Sequence, residues 1–344
     1  MDKVAVIILN WNGQALMERY LPSVVSRTQM AGAEVVVADN GSTDGSVAWL
    51  QAQYPALRLV LLDRNYGFAE GYNRAIEAVE AEYVVLLNSD VEVPAGWLEP
   101  MLEYMDAHPE VAACQPKIRS DRQRDYFEHA GAAGGFIDRL GYPFCRGRIQ
   151  SNVEKDLGQY DTVVDIFWAT GACLIIRRDD YLAAGGLDAD FFAHMEEIDL
   201  CWRLRLLGHR LVCLPQSSVY HLGGGTLNVQ NPRKTFLNFR NNLLMLYKNL
   251  PADSLRSVMW RRWVLDMVAA VFFLLKAETD NFKAVFKARR AYRQMKPLMQ
   301  PKRKWVQQHT ISKAIPEIYP GISTLDYYLK GKKTFDRLSF SSRS

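Results

Sequence analysis

The sequence is poor in cysteine, has no long uncharged apolar run near its basic tail, and lacks a Gly-x-Gly-x-x-Gly motif after its first apolar segment. The five cysteines contain no Cys-x-x-Cys pair, which argues against a disulfide scaffold or zinc cluster and indicates a reducing compartment. The charge-free run at residues 267–275 is too short for a membrane span of about 20 residues. The missing glycine motif argues against a dinucleotide-binding dehydrogenase. With no signal-peptide pattern at the start, we expect a cytoplasmic protein without a transmembrane helix.

The composition describes a globular chain with an uneven charge distribution. Its 344 residues are 49% hydrophobic and 23% charged, which excludes a mostly disordered protein. The net charge of +4 combines about −8 over residues 1–250 with about +12 over residues 251–344. We therefore predict a body at 1–250 and a basic C-terminal extension at 251–344.

Apolar runs alternate with helical patterns over the first hundred residues. Runs at 4–9, 34–38, 57–62 and 83–87 predict strands, and the segments between them have the spacing of helices. This alternation predicts a mostly parallel α/β sheet flanked by helices, and such sheets bind ligands at the carboxyl ends of their strands. Polar residues follow those predicted ends: Asn10, Trp11, Asn12, Asp39, Asn40, Asn65, Asn88, Ser89 and Asp90.

Two aspartates at these strand ends have a structural and a functional interpretation. Asp90 is suited to a hard cation with phosphate ligands, although the same position is common in a simple strand-to-helix turn. Asp39 is placed to accept a hydrogen bond from a nucleobase, although its surroundings are also those of a loop and helix cap. Neither aspartate by itself decides between the structural and the functional interpretation.

Three carboxylates crowd a predicted helix at residues 190–207. Repulsion among Glu196, Glu197 and Asp199 raises the proton affinity of at least one of them, which suits a general base. The alternative is an acidic helix start that the helix dipole favours, with Arg203 pairing to Asp199. His221 lies in a glycine-rich loop at 219–226, where it is either structural or a ligand for metal or phosphate.

Together these motifs resemble glycosyltransferase family 2 with the GT-A fold. The resemblance covers residues 3–245 and is closest to rhamnosyltransferase-type enzymes of bacterial surface polysaccharide assembly. Asn88-Ser89-Asp90 fills the position of the family's DXD motif. The other segments that carry the likeness are residues 4–12, 39–44, 65–73 and 185–200, His221 and the pair Arg240-Asn241.

The resemblance implies a role for each matching residue. It places Asp90 as the ligand of Mg²⁺ or Mn²⁺, with His221 as a second ligand, and Glu197 as the catalytic base, supported by Glu196 and Asp199. Two positions depart from the family pattern: Asn88 replaces the first aspartate of DXD, and Glu197 replaces the usual aspartate base, so Glu196 stays an alternative base. The residues implied to bind the nucleotide-sugar are Asn10, Trp11, Asp39, Asn65, Gly67, Asn73 and Ser89.

The predicted reaction is inverting transfer of a sugar, with rhamnose as the candidate, from a nucleoside diphosphate to a hydroxyl of a glycan or lipid-linked acceptor. One alternative is a nucleotidyltransferase, although the segment after the first strand lacks the basic glycine-rich loop that grips a triphosphate. The other alternative is a non-catalytic nucleotide-binding protein with a basic arm.

The extension carries an apolar stripe at three- and four-residue steps from Trp260 to Phe286, followed by a lysine- and arginine-rich continuation. Its aromatic residues lie on the stripe rather than among the arginines, so we expect no nucleic-acid partner. The stripe suits either peripheral contact with an anionic membrane at its inner face or packing on the body or in a homodimer.

Overall fold

The structure is a computed structural model that describes residues 2–223 and 231–340. The first part of the chain alternates strand and helix, as the apolar periodicity predicts, because residues 4–8 of the first strand are buried on both faces of the sheet. The strands are β1 (Asp2–Asn10), β2 (Ala33–Asn40), β3 (Arg58–Leu62), β4 (Ala81–Asn88), β5 (Val91–Glu92), β6 (Val111–Ser120), β7 (Gly135–Asp138), β8 (Pro143–Cys145), β9 (Arg148–Ile149), β10 (Asn152–Val153), β11 (Val164–Asp165), β12 (Cys173–Arg177), β13 (Arg210–His221) and β14 (Ile318–Tyr319).

Helices cover both faces of the main sheet and form most of the C-terminal extension. They are α1 (Gln14–Arg27), α2 (Ser46–Gln53), α3 (Gly67–Glu77), α4 (Glu99–Ala107), α5 (Arg178–Ala183), α6 (Glu196–Leu206), α7 (Pro232–Asn249), α8 (Ala252–Leu275), α9 (Thr279–His309) and α10 (Ser323–Lys330), with short 3₁₀ turns at Ala189–Phe191 and Phe335–Arg337.

The main sheet has the order β11-β13-β6-β12-β4-β1-β2-β3, and β5 pairs with β13. Strands β4, β1, β2 and β3 are parallel, whereas β12 runs antiparallel between β4 and β6. This confirms the predicted α/β fold with a mostly parallel sheet, and it brings the carboxyl ends of β1, β2 and β4 to one edge.

Two features of the middle of the chain differ from the sequence prediction. The helix predicted at 190–207 begins only at Glu196, because Phe192, His194 and Met195 have positive φ angles that interrupt it. The segment 161–168, whose composition also predicts a strand, contains only the short strand β11, which pairs with β13. A second sheet of order β10-β9-β8-β7-β14 is built from strands between residues 135 and 153 and from β14 of the extension.

The extension packs closely on the body. Helix α9 runs along α7, where the Arg303 guanidinium donates to the carbonyl of Leu250 at 2.6 Å. Strand β14 joins the second sheet beside β7, and Ser323 donates its backbone N–H to Asp138 at 2.8 Å. Within the described ranges, no helix is both long and apolar enough to cross a membrane. The boundary at residue 250 stays a prediction.

Candidate active site

Asn10 and Asp39 lie opposite each other at the ends of β1 and β2. Both side chains are buried, and Asn10 Nδ2 donates to Asp39 Oδ1 at 2.9 Å. The other Asp39 oxygen accepts the backbone N–H of Ser42 at 2.9 Å, which closes the following loop. Trp11, the next residue after β1, leaves about half of its side chain exposed (49%) beside this pair. The strand ends therefore combine a buried carboxylate with an open indole ring, a suitable surface for a nucleobase.

The second predicted nucleotide segment forms the start of α3. Asn65 Oδ1 accepts the N–H of Gly67 at 2.8 Å. Gly67 has φ +82°, and a Cβ there would lie 2.6 Å from the Phe192 ring, so only glycine fits. The neighbouring Phe68 N–H donates to the Phe192 carbonyl at 2.7 Å. These contacts join α3 to the turn that precedes Glu196.

Asn73 uses both of its amide atoms to hold the protein chain. Its Oδ1 accepts from the Tyr181 hydroxyl at 2.6 Å and from the Leu187 N–H at 3.0 Å, and its Nδ2 donates to the Leu187 carbonyl at 2.8 Å. In this structure Asn73 therefore fixes the Gly-Gly-Leu segment rather than presenting free polar atoms to a ligand.

Asp90 and His221 meet across β5 and β13, with His221 Nε2 3.0 Å from Asp90 Oδ1. On the other side of the ring, His221 Nδ1 lies 3.3 Å from Glu128 Oε2. Burial favours the neutral imidazole, but the hydrogen bonds and charges of both carboxylates outweigh it and raise the pKa of His221 to about 10. Sequence reasoning missed Glu128, which lies in a stretch without periodicity or motif.

Asp90 supplies a chemically suitable oxygen ligand for a hard divalent cation, with Ser89 half-buried beside it. His221 would have to lose its proton before Nε2 could bind a metal ion. In the part of the chain that the structure describes, no three His, Cys, Asp or Glu side chains are arranged as a metal site. A cation here would therefore depend on Asp90 and on ligands from a bound diphosphate. Part of the glycine-rich loop after His221, residues 224–226, lies outside the described residues.

Glu196 and Glu197 begin α6, and each has a buried Oε2 without a hydrogen-bond partner. Burial, reinforced by the neighbouring Glu197 charge, raises the pKa of Glu196 well above its usual range. Burial also raises the pKa of Glu197 to about 7, only partly offset by backbone hydrogen bonds. Glu197 is half-buried whereas Glu196 is almost fully enclosed, so Glu197 is the better placed of the two to reach a substrate.

The surroundings of Asp199 differ from those of Glu196 and Glu197. It is fully buried and accepts hydrogen bonds from Arg203 at 3.0 Å and from Asn249 at 2.8 Å, while Lys248 Nζ lies 2.7 Å away. These partners come from α6 and α7. Asp199 thus anchors one helix to the other and is occupied by protein cations.

A short segment, Gly171-Ala172, connects the parts of the site. A Cβ on Gly171 would lie 3.0 Å from the Phe68 ring and 4.0 Å from the Glu197 Cβ. The next residue, Ala172, accepts the N–H of Asn88 at 3.0 Å. Glu197, the start of α3 and the turn that carries Asp90 therefore surround the same backbone segment. The structure brings the predicted base, nucleotide and metal residues to one edge of the sheet.

The edge of the parallel sheet thus combines a buried carboxylate beside an exposed indole, the Asp90 carboxylate and a glutamate whose pKa is raised. Solved glycosyltransferases share this fold. GalNAc-T7 with UDP, GalNAc and Mn²⁺ matches with a TM-score of 0.55 and 15% identity over 72% of this chain and 48% of its own. A mannosyltransferase of Pyrobaculum calidifontis in complex with GDP-Man and Mn²⁺ matches with a TM-score of 0.51 and 16% identity over 89% of this chain and 84% of its own.

The chain belongs to glycosyl transferase family 2, whose family model matches residues 5–182. An N-acetylglucosaminyl-diphospho-decaprenol L-rhamnosyltransferase of Mycobacterium tuberculosis is 28% identical over 64% of this chain and 76% of its own length. The rhamnosyltransferase WbbL of Escherichia coli is 26% identical over 45% of this chain and 61% of its own length. The protein is a glycosyltransferase that uses a nucleotide-sugar, and neither the nucleotidyltransferase nor the non-catalytic alternative is favoured.

Proposed function

We propose that the protein transfers a sugar, with inversion at the anomeric carbon, from a nucleoside diphosphate to a hydroxyl of a glycan or lipid-linked acceptor. The observation that carries this proposal is Glu197, a carboxyl group with a buried, unpartnered Oε2 and a pKa of about 7 beside the start of α3. The two relatives named as rhamnosyltransferases support rhamnose as the donor sugar.

In the proposed reaction Glu197 accepts the proton of the acceptor hydroxyl while that oxygen attacks the anomeric carbon. The bond from the anomeric carbon to the diphosphate oxygen breaks, and the nucleoside diphosphate departs with the electron pair. Glu196 is almost fully enclosed, so it is less well placed than Glu197 to reach the acceptor hydroxyl. We assign Asp199 to positioning, because its pairs to Arg203 and Lys248 hold α6 against α7.

The donor is proposed to bind along the carboxyl ends of β1, β2 and β4. Trp11 stacks on the base, and Asp39 accepts a hydrogen bond from the base edge, while Asn10 holds the Asp39 carboxylate in place. Asn65, Gly67 and Ser89 line the phosphate and sugar side, and Asn73 supports that side through Leu187.

We propose that Asp90 and the donor diphosphate hold Mg²⁺ or Mn²⁺. When bound, the cation neutralises charge on the departing diphosphate. The carboxylate chemistry of Asp90 and the Mn²⁺ named with two solved glycosyltransferases of similar fold support this assignment. His221 is proposed to orient Asp90, and it becomes a second ligand only in its neutral form.

The enzyme is proposed to work in the cytoplasm at the inner face of the cell membrane, where lipid-linked acceptors would present their sugars. The apolar residues of the extension and its basic character support peripheral contact with that surface. A homodimer is the alternative use of the same apolar residues.

The experiment is an assay of nucleoside diphosphate release with a panel of nucleotide-sugars and acceptors. Glu197→Gln is expected to lower turnover by about 100-fold or more, in keeping with loss of a general base. The matched control is Glu77→Gln, an exposed glutamate at the end of α3. Full activity in both Glu197→Gln and Asp90→Ala would overturn the assignment.

A further inference from the structure

Helix α8 buries two of its charged residues, Arg262 and Asp266, and exposes most of its large apolar ones. Arg262 and Asp266 are 2% and 0% exposed and form an ion pair at 3.4 Å, which Arg289 of α9 joins. Arg262 also donates to the carbonyl of Leu140 at 3.1 Å and stacks on the Tyr142 ring. The side of α8 that packs on the body therefore combines this ion pair with the smaller apolar side chains of Val258 and Ala270.

The opposite side of α8, which we name the outward face, is apolar and exposed. Its residues recur at three- and four-residue steps, so they lie on adjoining turns of the helix. They are Trp260, Trp263, Val268, Val271, Phe272, Leu274 and Leu275, each between 45% and 81% exposed. A surface helix of a globular protein normally has the reverse arrangement, with its apolar stripe against the core. A contiguous apolar surface of this kind marks an interaction site.

Cationic side chains border the outward face. Arg256 and Arg261 are exposed on α8 itself, and Lys276 follows its last turn with Nζ 4.4 Å from the centre of the Phe272 ring. Lys283 and Lys287 are exposed on the following helix. The exposed acids nearby are Asp253 in the first turn of α8 and Asp280, which is 3.4 Å from Lys283.

We propose that the outward face of α8 binds an anionic bilayer surface, with the helix lying in the plane of the interface rather than crossing it. Tryptophans at one end and cations along the borders suit the boundary between lipid headgroups and acyl chains. A second copy of the chain fits the same face poorly, because a two-fold contact would bring like cations together. This inference rests on the proposed function only in that a lipid-linked acceptor would be presented at that surface.

The test is vesicle flotation of the full-length protein. We expect it to float with vesicles of phosphatidylglycerol and phosphatidylcholine, less with phosphatidylcholine alone, and less at high salt. The variant Trp260→Gln/Val271→Gln/Leu275→Gln should bind anionic vesicles on the order of 100-fold more weakly, because three large apolar side chains leave the interface. The matched control is Leu157→Gln/Leu329→Gln, which replaces two residues that are 77% exposed outside α8.

The far-ultraviolet circular dichroism of each variant should equal that of the parent, since the replaced side chains are exposed. Equal flotation of parent and outward-face variant would overturn the proposal, and so would a dimer that becomes monomeric in the variant without any vesicle binding by the parent. The outward-face variant should also keep its rate with a water-soluble acceptor. If the parent and its variants bind vesicles as expected but the parent transfers no sugar, the proposed function is wrong. The outward face would then still be a membrane-binding surface.

Discussion

Asn241 donates its side-chain amide to the backbone carbonyl of His194 at 2.7 Å. The same Nδ2 also lies 3.0 Å from the Phe191 carbonyl and 2.9 Å from the Ala193 carbonyl. This segment contains the positive φ angles that immediately precede Glu196, a conformation that non-glycine residues adopt only when their surroundings impose it. A fully buried amide on α7 therefore holds the turn that aims the candidate base.

We predict that Asn241→Leu lowers kcat by about tenfold or more and changes KM for the donor much less. The leucine removes the side-chain donor from the carbonyls of Ala193 and His194, while the Phe191 carbonyl keeps Arg240, so the turn relaxes and Glu197 loses its alignment with the acceptor. Steady-state kinetics with both substrates varied would measure the two constants.

The matched control for Asn241→Leu is Asn242→Leu. Asn242 is the next buried amide of α7 and donates to the Gly141 carbonyl at 2.6 Å, away from the turn. Both variants should lose stability by a similar amount. Equal kcat loss in both would mean that Asn241 acts only through the fold.

The pH dependence of kcat should show an acidic limb near pH 7. Glu197 must be deprotonated to act as a base, and burial raises the pKa of its carboxyl to about 7. A glutamate in water would place the acidic limb at about pH 4.3. A limb at that lower value would contradict the environment that the structure gives to Glu197.

The same raised pKa has a consequence for stability. At pH values below the pKa of Glu197 in the unfolded chain, the folded and the unfolded protein both hold the proton. Between that pKa and about 7, the unfolded chain releases the proton while the folded protein keeps it. The stability of the parent relative to Glu197→Gln should therefore fall as pH rises through this window. Thermal melts of the two proteins at matched pH values would measure the difference.

The sheet and the strand-end residues could be predicted from the sequence because both depend on local signals. Buried parallel strands are apolar runs, and the polar residues that follow them must meet at one edge, as Asn10 and Asp39 do. The resemblance to a family implied Glu197 as the base from its position in a motif, with Glu196 as the alternative. The half-buried environment of that side chain could not be predicted in the same way, because burial depends on neighbours from distant parts of the chain.

Other features had no sequence signal. Glu128 faces His221 across a loop, and nothing in its neighbours marks it. The apolar stripe of α8 was visible as periodicity, but periodicity does not tell which side of a helix packs. That side is fixed by Arg262 and Asp266, which look like surface residues in the sequence and are buried in the fold.

Lys248→Met is predicted to destabilise the protein by about 3–5 kcal/mol. The lysine is almost fully buried between Asp188, at 2.6 Å, and Asp199, at 2.7 Å, and its loss leaves buried carboxylates with one cation fewer. Urea unfolding would measure the loss. As a control, Lys283→Met removes an exposed pair and should cost at most about 1 kcal/mol.

Sugar transfer is expected to depend on a divalent cation held by Asp90. Chelation with EDTA should abolish sugar transfer, and Mn²⁺ or Mg²⁺ should restore it. Asp90→Asn should need a metal concentration higher by about tenfold or more, because an amide oxygen binds a hard cation less strongly than a carboxylate. The exposed Asp179→Asn on α5 is the control and should behave as the parent.

A readout independent of turnover separates metal binding from chemistry. Mn²⁺ with a nucleoside diphosphate should raise the melting temperature of the parent and of Glu197→Gln, since Glu197 is assigned to the acceptor proton and not to the cation. The same mixture should raise the melting temperature of Asp90→Asn less than that of the parent. If Asp90→Asn responds as the parent does, the cation is held elsewhere, and the pairing of Asp90 with His221 at 3.0 Å is structural only.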